Sequence, residues 1–259
     1  KIMKKLKVLL TNAPAFNLER FDRNHSKIRG YSLYPPISLT TLAAAILKKV
    51  DDTQVEILDL EFEVMKFFKE NDESLLSTRD AMKNIILDKI EELQPDLVGI
   101  STMFSISHKN TFEIANIVKE KKPTTKVISG GNHSTFTYKR MLKECPNIDY
   151  IFLYEADTTF PLFLEYLKGK SKFEDLKGLA WLDKNTSEPN LSPYASVIHD
   201  LDPLPIPKWN LVPIKKYQKY GRIGAINSFG DENIPSYVMQ TVRGCVASCC
   251  FCSVRGFYG

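Results

Sequence analysis

Five short apolar runs, each parted from the next by an amphipathic stretch, constrain this chain more than any other feature. They are KVLLT (7–11), VEILDL (55–60), DLVGIS (96–101), KVISGG (126–131) and DYIFLY (149–154). Their length and their content of Val, Ile and Leu suit strands buried on both faces. Between them, Leu39, Leu42, Ala43, Ile46 and Leu47, and again Met82, Ile85, Ile86, Ile90 and Leu93, recur at three-to-four spacing, so each set forms one helical stripe. Shorter helices are expected near 108–121, 134–144 and 158–168, and Pro95 and Pro123 each precede a strand. Parallel strands need a crossover, and crossovers are right-handed. The pattern therefore predicts an α/β fold, a doubly wound parallel five-stranded sheet occupying residues 1–170. Ligands bind such sheets at the carboxyl ends of the strands. The loops at 12–16, 101–105, 130–135 and 154–157, with 32–39 opening the first helix, are thus where function is expected.

Chain character changes after Gly169. Residues 176–193 read as a hairpin with a polar turn, and the four prolines within 200–213 exclude regular helix, so 171–235 is expected to be hairpin and linker. Residues 235–244 are expected to form one more strand, opening a separate unit at 236–259. No apolar run approaches the roughly 20 residues of a membrane span. The basic opening carries too short an apolar stretch for a signal peptide and reads as a buried strand. Net charge is only +4, from 35 basic and 31 acidic residues, which argues against a nucleic-acid partner. The basic run 214–222, with its interleaved tyrosines, reads as a solvated linker face. Phe67 and Phe68 are expected to pack beneath a loop, and Trp181 and Trp209 to pack the hairpin and linker. Of five cysteines four are crowded at one end, which is no disulfide framework and fits a reducing cytoplasm.

Those four lie in TVRGCVASCCFCSVRGFYG, where Cys245, Cys249 and Cys252 stand at C-x3-C-x2-C spacing. Thiolates are soft ligands suited to zinc or to iron–sulfur clusters. Structural zinc wants a fourth ligand, and His25, His108, His133 and His199 all lie far upstream. Three ligands imply an open fourth iron that binds a substrate or cofactor. Cys250, beside Cys249, is expected to be a small buried filler, and Cys145, before Pro146, a buried thiol.

The cysteine spacing, Phe251 directly before the last cysteine, the preceding Arg243-Gly244 and the placement after an expected strand resemble the radical S-adenosylmethionine (SAM) superfamily. The resemblance implies a 4Fe-4S cluster on Cys245, Cys249 and Cys252, SAM chelating the unique iron, Phe251 near the adenine, and one-electron cleavage of SAM to a 5′-deoxyadenosyl radical. It extends upstream. YPPISLTTLAAAIL, VEILDL and ISGGNHST, followed by LDPLPIPKW and TVRGC, are similar in order and pattern to the cobalamin-binding radical SAM enzymes, whose first domain is flavodoxin-like (Rossmann-like). That layout implies cobalamin contacts from Asn12, Pro14, Tyr34, Pro35, Thr102, Met103, Phe104, Ser105, Gly130, Gly131, Asn132, His133, Tyr154 and Glu155. Paired glycines at a strand end also let backbone approach a flat macrocycle closely.

The chain departs from family patterns in two places. It lacks the Asp-x-His-x-x-Gly motif that supplies a histidine to cobalt in many cobalamin enzymes, and His133, before Ser134 and Thr135, suits capping or hydrogen bonding at the next helix. Where the family often has Gly-Glu-Gly-Glu, this chain has Tyr154, Glu155, Ala156 and Asp157, and Tyr154 could crowd the corrinoid tail. With one barrel strand after the linker, the chain reads as a fragment of a longer enzyme. The resemblance implies a methyltransferase acting on an unactivated carbon of a small-molecule or peptide substrate, with flavodoxin or ferredoxin as electron donor. The alternatives are an anaerobic porphyrin cyclase or other rearrangement enzyme, and a non-catalytic cobalamin-sensing module. An RNA methylthiotransferase would carry more cysteines upstream than Cys145.

Overall fold

The computed structural model describes residues 5–71, 74–223 and 237–258. Strands β1 (Leu6–Asn12), β2 (Thr53–Leu58), β3 (Leu97–Ser101), β4 (Lys126–Gly130) and β5 (Tyr150–Phe152) pair in parallel. A hairpin, β6 (Leu179–Leu182) and β7 (Pro189–Leu191), adds antiparallel to β5, giving the order β2-β1-β3-β4-β5-β6-β7. The α/β fold expected from the five runs is therefore present, with the hairpin extending the same sheet.

Side chains alternate across the sheet, and each face has its own core. Val8, Leu10, Leu97, Ile128 and Phe152 pack on helices α2 (Ile37–Lys49) and α7 (Thr159–Leu167) through Leu39, Ala43, Ile46, Phe160 and Phe163. Leu9, Val98, Ile100, Val127 and Ile151 face helices α3 (Leu60–Glu70), α4 (Thr78–Leu93), α5 (His108–Lys121) and α6 (Asn132–Glu144). A short helix α1 (Arg23–Lys27) precedes α2. Chain direction across the sheet reverses between β1 and β3, since β2 lies on one side of β1 and all later strands on the other. Adjacent crossovers then run to opposite faces and leave a crevice at those strand ends.

Several expectations need correction. The second strand stops at Leu58 because Asp59 caps a helix: its carboxylate accepts from the Phe62 N–H at 3.2 Å. That helix, α3, buries Phe68 in the core through the spacing Leu60, Val64, Phe68, and the Phe68 ring meets Phe21 of the loop before Arg23, so the pair sits on an unexpected helix but packs against a loop as expected. Leu47, at the end of the α2 stripe, is 38% exposed. The basic run 214–222 is solvated only on its lysine side. Tyr217 and Tyr220, on the short helix α8 (Tyr217–Tyr220), are buried against Phe62. Residues 237–244, the described part of the expected extra strand, form no strand, because no described segment pairs with their backbone groups; the rest of it, and 224–234, lie outside the described residues. Cys250 is exposed, since nothing apolar covers its loop, whereas Cys145 is buried as expected. Trp181 packs edge-on against Phe173, and Trp209 against Tyr237.

Candidate functional site

At the crevice lies a cavity of about 460 Å³, walled by the ends of β1, β3 and β4, the start of α2, and the loop after β5. Nine of the residues expected to hold cobalamin line it: Asn12, Tyr34, Pro35, Met103, Phe104, Gly130, Gly131, Tyr154 and Glu155. Its walls are mostly apolar, and Tyr34, Met103 and Phe104 stand 48%, 40% and 59% exposed at the rim. At Gly131 the backbone takes φ +102°, and a Cβ there would lie 2.9 Å from the Thr102 carbonyl oxygen and 3.2 Å from Met103 Sδ. The cavity floor at this point must be bare backbone.

The other five do not line it. Thr102 is fully buried, its hydroxyl bonded to Thr111 Oγ1 at 2.8 Å and Ser129 Oγ at 3.0 Å. Ser129 in turn meets Ser134 Oγ at 2.7 Å. This chain of hydroxyls ties β3 and β4 to the first turns of α5 and α6. The Pro14 carbonyl accepts from Ser107 Oγ and Asn110 Nδ2, which fixes the loop after β1. Ser105 Oγ sits 3.2 Å from His133 Nδ1, and His133 Nε2 is 2.8 Å from His108 Nδ1. His108 Nε2 is 2.9 Å from Glu144 Oε2. Burial first, then the neighbouring His108 and Arg140, lower the His133 pKa, so the ring is held neutral in a hydrogen-bonded row beside the cavity. Among the described residues no histidine lines the cavity. Asn132 Nδ2 donates to Ser253 Oγ at 2.8 Å and so reaches the cysteine segment instead.

Two acidic features were missed from sequence. Asp59 and Glu61 follow β2, a strand end that the loops singled out did not include. Asp59 is buried, accepting from Asn12 Nδ2 at 2.9 Å and from the Tyr217 hydroxyl at 2.7 Å; burial raises its pKa against these bonds. Glu61 lines the cavity, accepts from the Ala15 N–H at 2.6 Å, and is pushed up to about 7 by burial and then by the charge of Asp59. Past the linker, Arg243 enters the cavity wall. Its Nη1 lies 2.6 Å from Glu155 and 2.8 Å from Asp157, and its Nη2 3.2 Å from Asp157. Burial alone would lower the guanidinium pKa, but the bonds and charges of Asp157 and Glu155 outweigh it and raise it. Gln240, Phe257 and Tyr258 complete the wall. The Arg243-Gly244 pair was legible only as part of a motif, not as a partner of the acids after β5.

Cys245, Cys249 and Cys252 are exposed on the segment that follows, and Phe251 is 89% exposed. Among the described residues no three His, Cys, Asp or Glu side chains stand close enough to hold a metal ion. Thiolates are soft donors, and thiol sites seldom assemble ahead of their metal.

A family model, the B12 binding domain, matches residues 29–164, more than half the chain. The chain belongs to the B12-binding domain family. Cytidylyl-2-hydroxyethylphosphonate methyltransferase of Streptomyces wedmorensis is 30% identical over 193 residues, 67% of this chain and 35% of that protein. The anaerobic magnesium-protoporphyrin IX monomethyl ester cyclase of Synechocystis sp. is 26% identical over 226 residues, 86% of this chain and 39% of that protein. The cobalamin-dependent S-adenosylmethionine radical enzyme OxsB, solved with aqua-cobalamin and S-adenosylmethionine bound, shares the fold with a TM-score of 0.62 at 18% identity, over 84% of this chain and 26% of that one. The chain spans less than half of the length of the curated relatives it matches. Among the described residues no helix is long and apolar enough to cross a membrane.

The cavity suits the cofactor named by the family. A bare glycine floor, apolar walls and an exposed apolar rim match the flat, apolar face of a corrinoid, whose contact would cover Tyr34, Met103 and Phe104. Tyr154, held at φ +62° with its N–H on Thr135 Oγ1, turns its ring toward Tyr194 and Phe257 while still lining the cavity.

Proposed function

We propose that this chain is the cobalamin-holding part of a cytoplasmic radical SAM methyltransferase acting on an unactivated carbon of a small-molecule or peptide substrate. The observation that carries the reading is the cavity at the β1/β3 strand ends, bounded on one side by the segment that bears Cys245, Cys249 and Cys252. Gly130, Gly131, Tyr34, Met103 and Phe104 would hold the corrinoid, and the three thiols a 4Fe-4S cluster that binds SAM, with Phe251 free to pack on its adenine. Bound there, cobalamin supplies a transferable methyl group, while SAM on the cluster supplies the radical that opens a substrate carbon–hydrogen bond. An external flavodoxin or ferredoxin would deliver the electron. The chain's own part is to exclude water from the apolar cavity and to keep the thiols beside it. The likeness to the Synechocystis cyclase supports porphyrin ring cyclisation as the second reading.

Anaerobically purified chain, offered hydroxocobalamin and then ferrous iron with sulfide, should retain a corrinoid spectrum and acquire iron–sulfur absorption. Cys249→Ala should lose the iron and keep the corrinoid. Retention of neither corrinoid nor iron, or zinc in place of iron in oxygen-protected protein, overturns the reading.

A further inference from the structure

Cys245, Cys249 and Cys252 lie between two tethers, of which the upstream one ends on the cavity and the downstream one at the start of α6, next to Gly131 of the cavity floor. On the upstream side Arg243 is only 12% exposed and binds Glu155 and Asp157, themselves 5% and 11% exposed, all three lining the cavity. On the downstream side Ser253, next to Cys252, accepts from Asn132, the residue after the glycine pair. Between the tethers little holds the loop to the domain: Val246 and Phe251 are almost wholly exposed, and the hydrogen bonds are local, Cys252 N–H to Cys249 O at 3.1 Å and Arg255 to Ser248. Gly244, at φ +90°, turns the chain outward directly after Arg243.

We propose that Arg243 is a positioning residue: its ion pairs with Glu155 and Asp157, assisted by the Asn132–Ser253 bond, set where the thiol loop stands relative to the cavity, and thereby couple cavity occupancy to loop position. Two buried carboxylates facing each other without a cation are costly, so the acids hold the guanidinium firmly. Because the same three side chains line the cavity, a ligand that fills it contacts the latch, and coupling of this kind acts in both directions. The proposal rests on the reading of the cavity as a cobalamin site and of the thiols as cluster ligands.

The test compares wild type, Arg243→Met, Arg243→Lys and Ser253→Ala. Amide exchange at Cys252 and Phe257, whose N–H groups bond to Cys249 O and Ser253 O, reports whether the segment stays docked. Arg243→Met should speed that exchange at least about tenfold while amides of β1, β3 and β4 keep their wild-type rates, a local opening rather than global unfolding. Arg243→Lys, which keeps the charge but not the two-pronged geometry, should fall between. With ferrous iron and sulfide, Arg243→Met should take up less iron than wild type, and hydroxocobalamin should no longer slow exchange at Cys252. Should Arg243→Met fail to fold, Ser253→Ala carries the test, with a several-fold increase expected at the same two amides. Wild-type exchange rates at Cys252 and Phe257 in the folded variants would overturn the proposal. A wild-type chain that binds no hydroxocobalamin refutes the proposed function, and the exchange comparison without ligand then decides the latch by itself.

Discussion

Replacing Glu61 by Gln should stabilise this protein at neutral pH and leave it unchanged in acid. Burial and the adjacent Asp59 hold the Glu61 carboxyl at about 7, against 4.5 for a free glutamate, and the Ala15 N–H only partly offsets them. A group whose folded pKa is raised contributes stability that is complete below its unfolded pKa and is lost as pH rises through the folded value. Here the loss falls between pH 4.5 and about 7. At about 1.4 kcal/mol for each tenfold change in proton affinity, the ceiling is roughly 3 kcal/mol, and water reaching the cavity reduces it to about 1–3 kcal/mol. Gln retains a carbonyl oxygen for Ala15 and carries no charge to bury. Urea unfolding of both proteins from about pH 4 to about pH 8 should show equal stability in acid and a Gln advantage that grows through the window. A difference that stays flat with pH, or a wild type more stable than the variant at about pH 8, would refute the argument.

Other positions test the walls of the cavity. Gly131→Ala must hold a Cβ 2.9 Å from the Thr102 carbonyl oxygen at φ +102°; thermal unfolding should show a loss of about 1–3 kcal/mol, with weaker hydroxocobalamin binding. Thr102→Val breaks the buried hydroxyl row that joins Thr111 to Ser129; a loss of about 1–3 kcal/mol in urea unfolding is expected. His133→Ala should leave the visible spectrum of bound hydroxocobalamin unchanged, because the ring is engaged with Ser105 and His108 outside the cavity; a shifted spectrum would mean that His133 reaches cobalt.

The five β-strand runs were legible because strands buried on both faces must be apolar throughout, and no other local pattern in Val8 to Leu10 or Val127 to Ile128 competes with that requirement. The glycine pair was legible for a similar reason, since only Gly lets bare backbone form a floor. Helix α3 was missed because Asp59 reads equally well as the tail of an apolar strand run and as a cap, and the choice is made by Asn12 and Tyr217, which come to it from distant parts of the chain. The partner of Arg243 was hidden for the same cause. Its carboxylates lie 88 and 86 residues away, and charge pairing across such a separation has no sequence period to betray it. Chain-local chemistry therefore determined the sheet, its ligand-binding end and the kind of donor present. Which acids are buried, which tyrosines support them, and where the thiol loop is anchored were decided only when the sheet brought its strand ends together, since burial and hydrogen-bond partnership are properties of the packed chain and not of any segment within it.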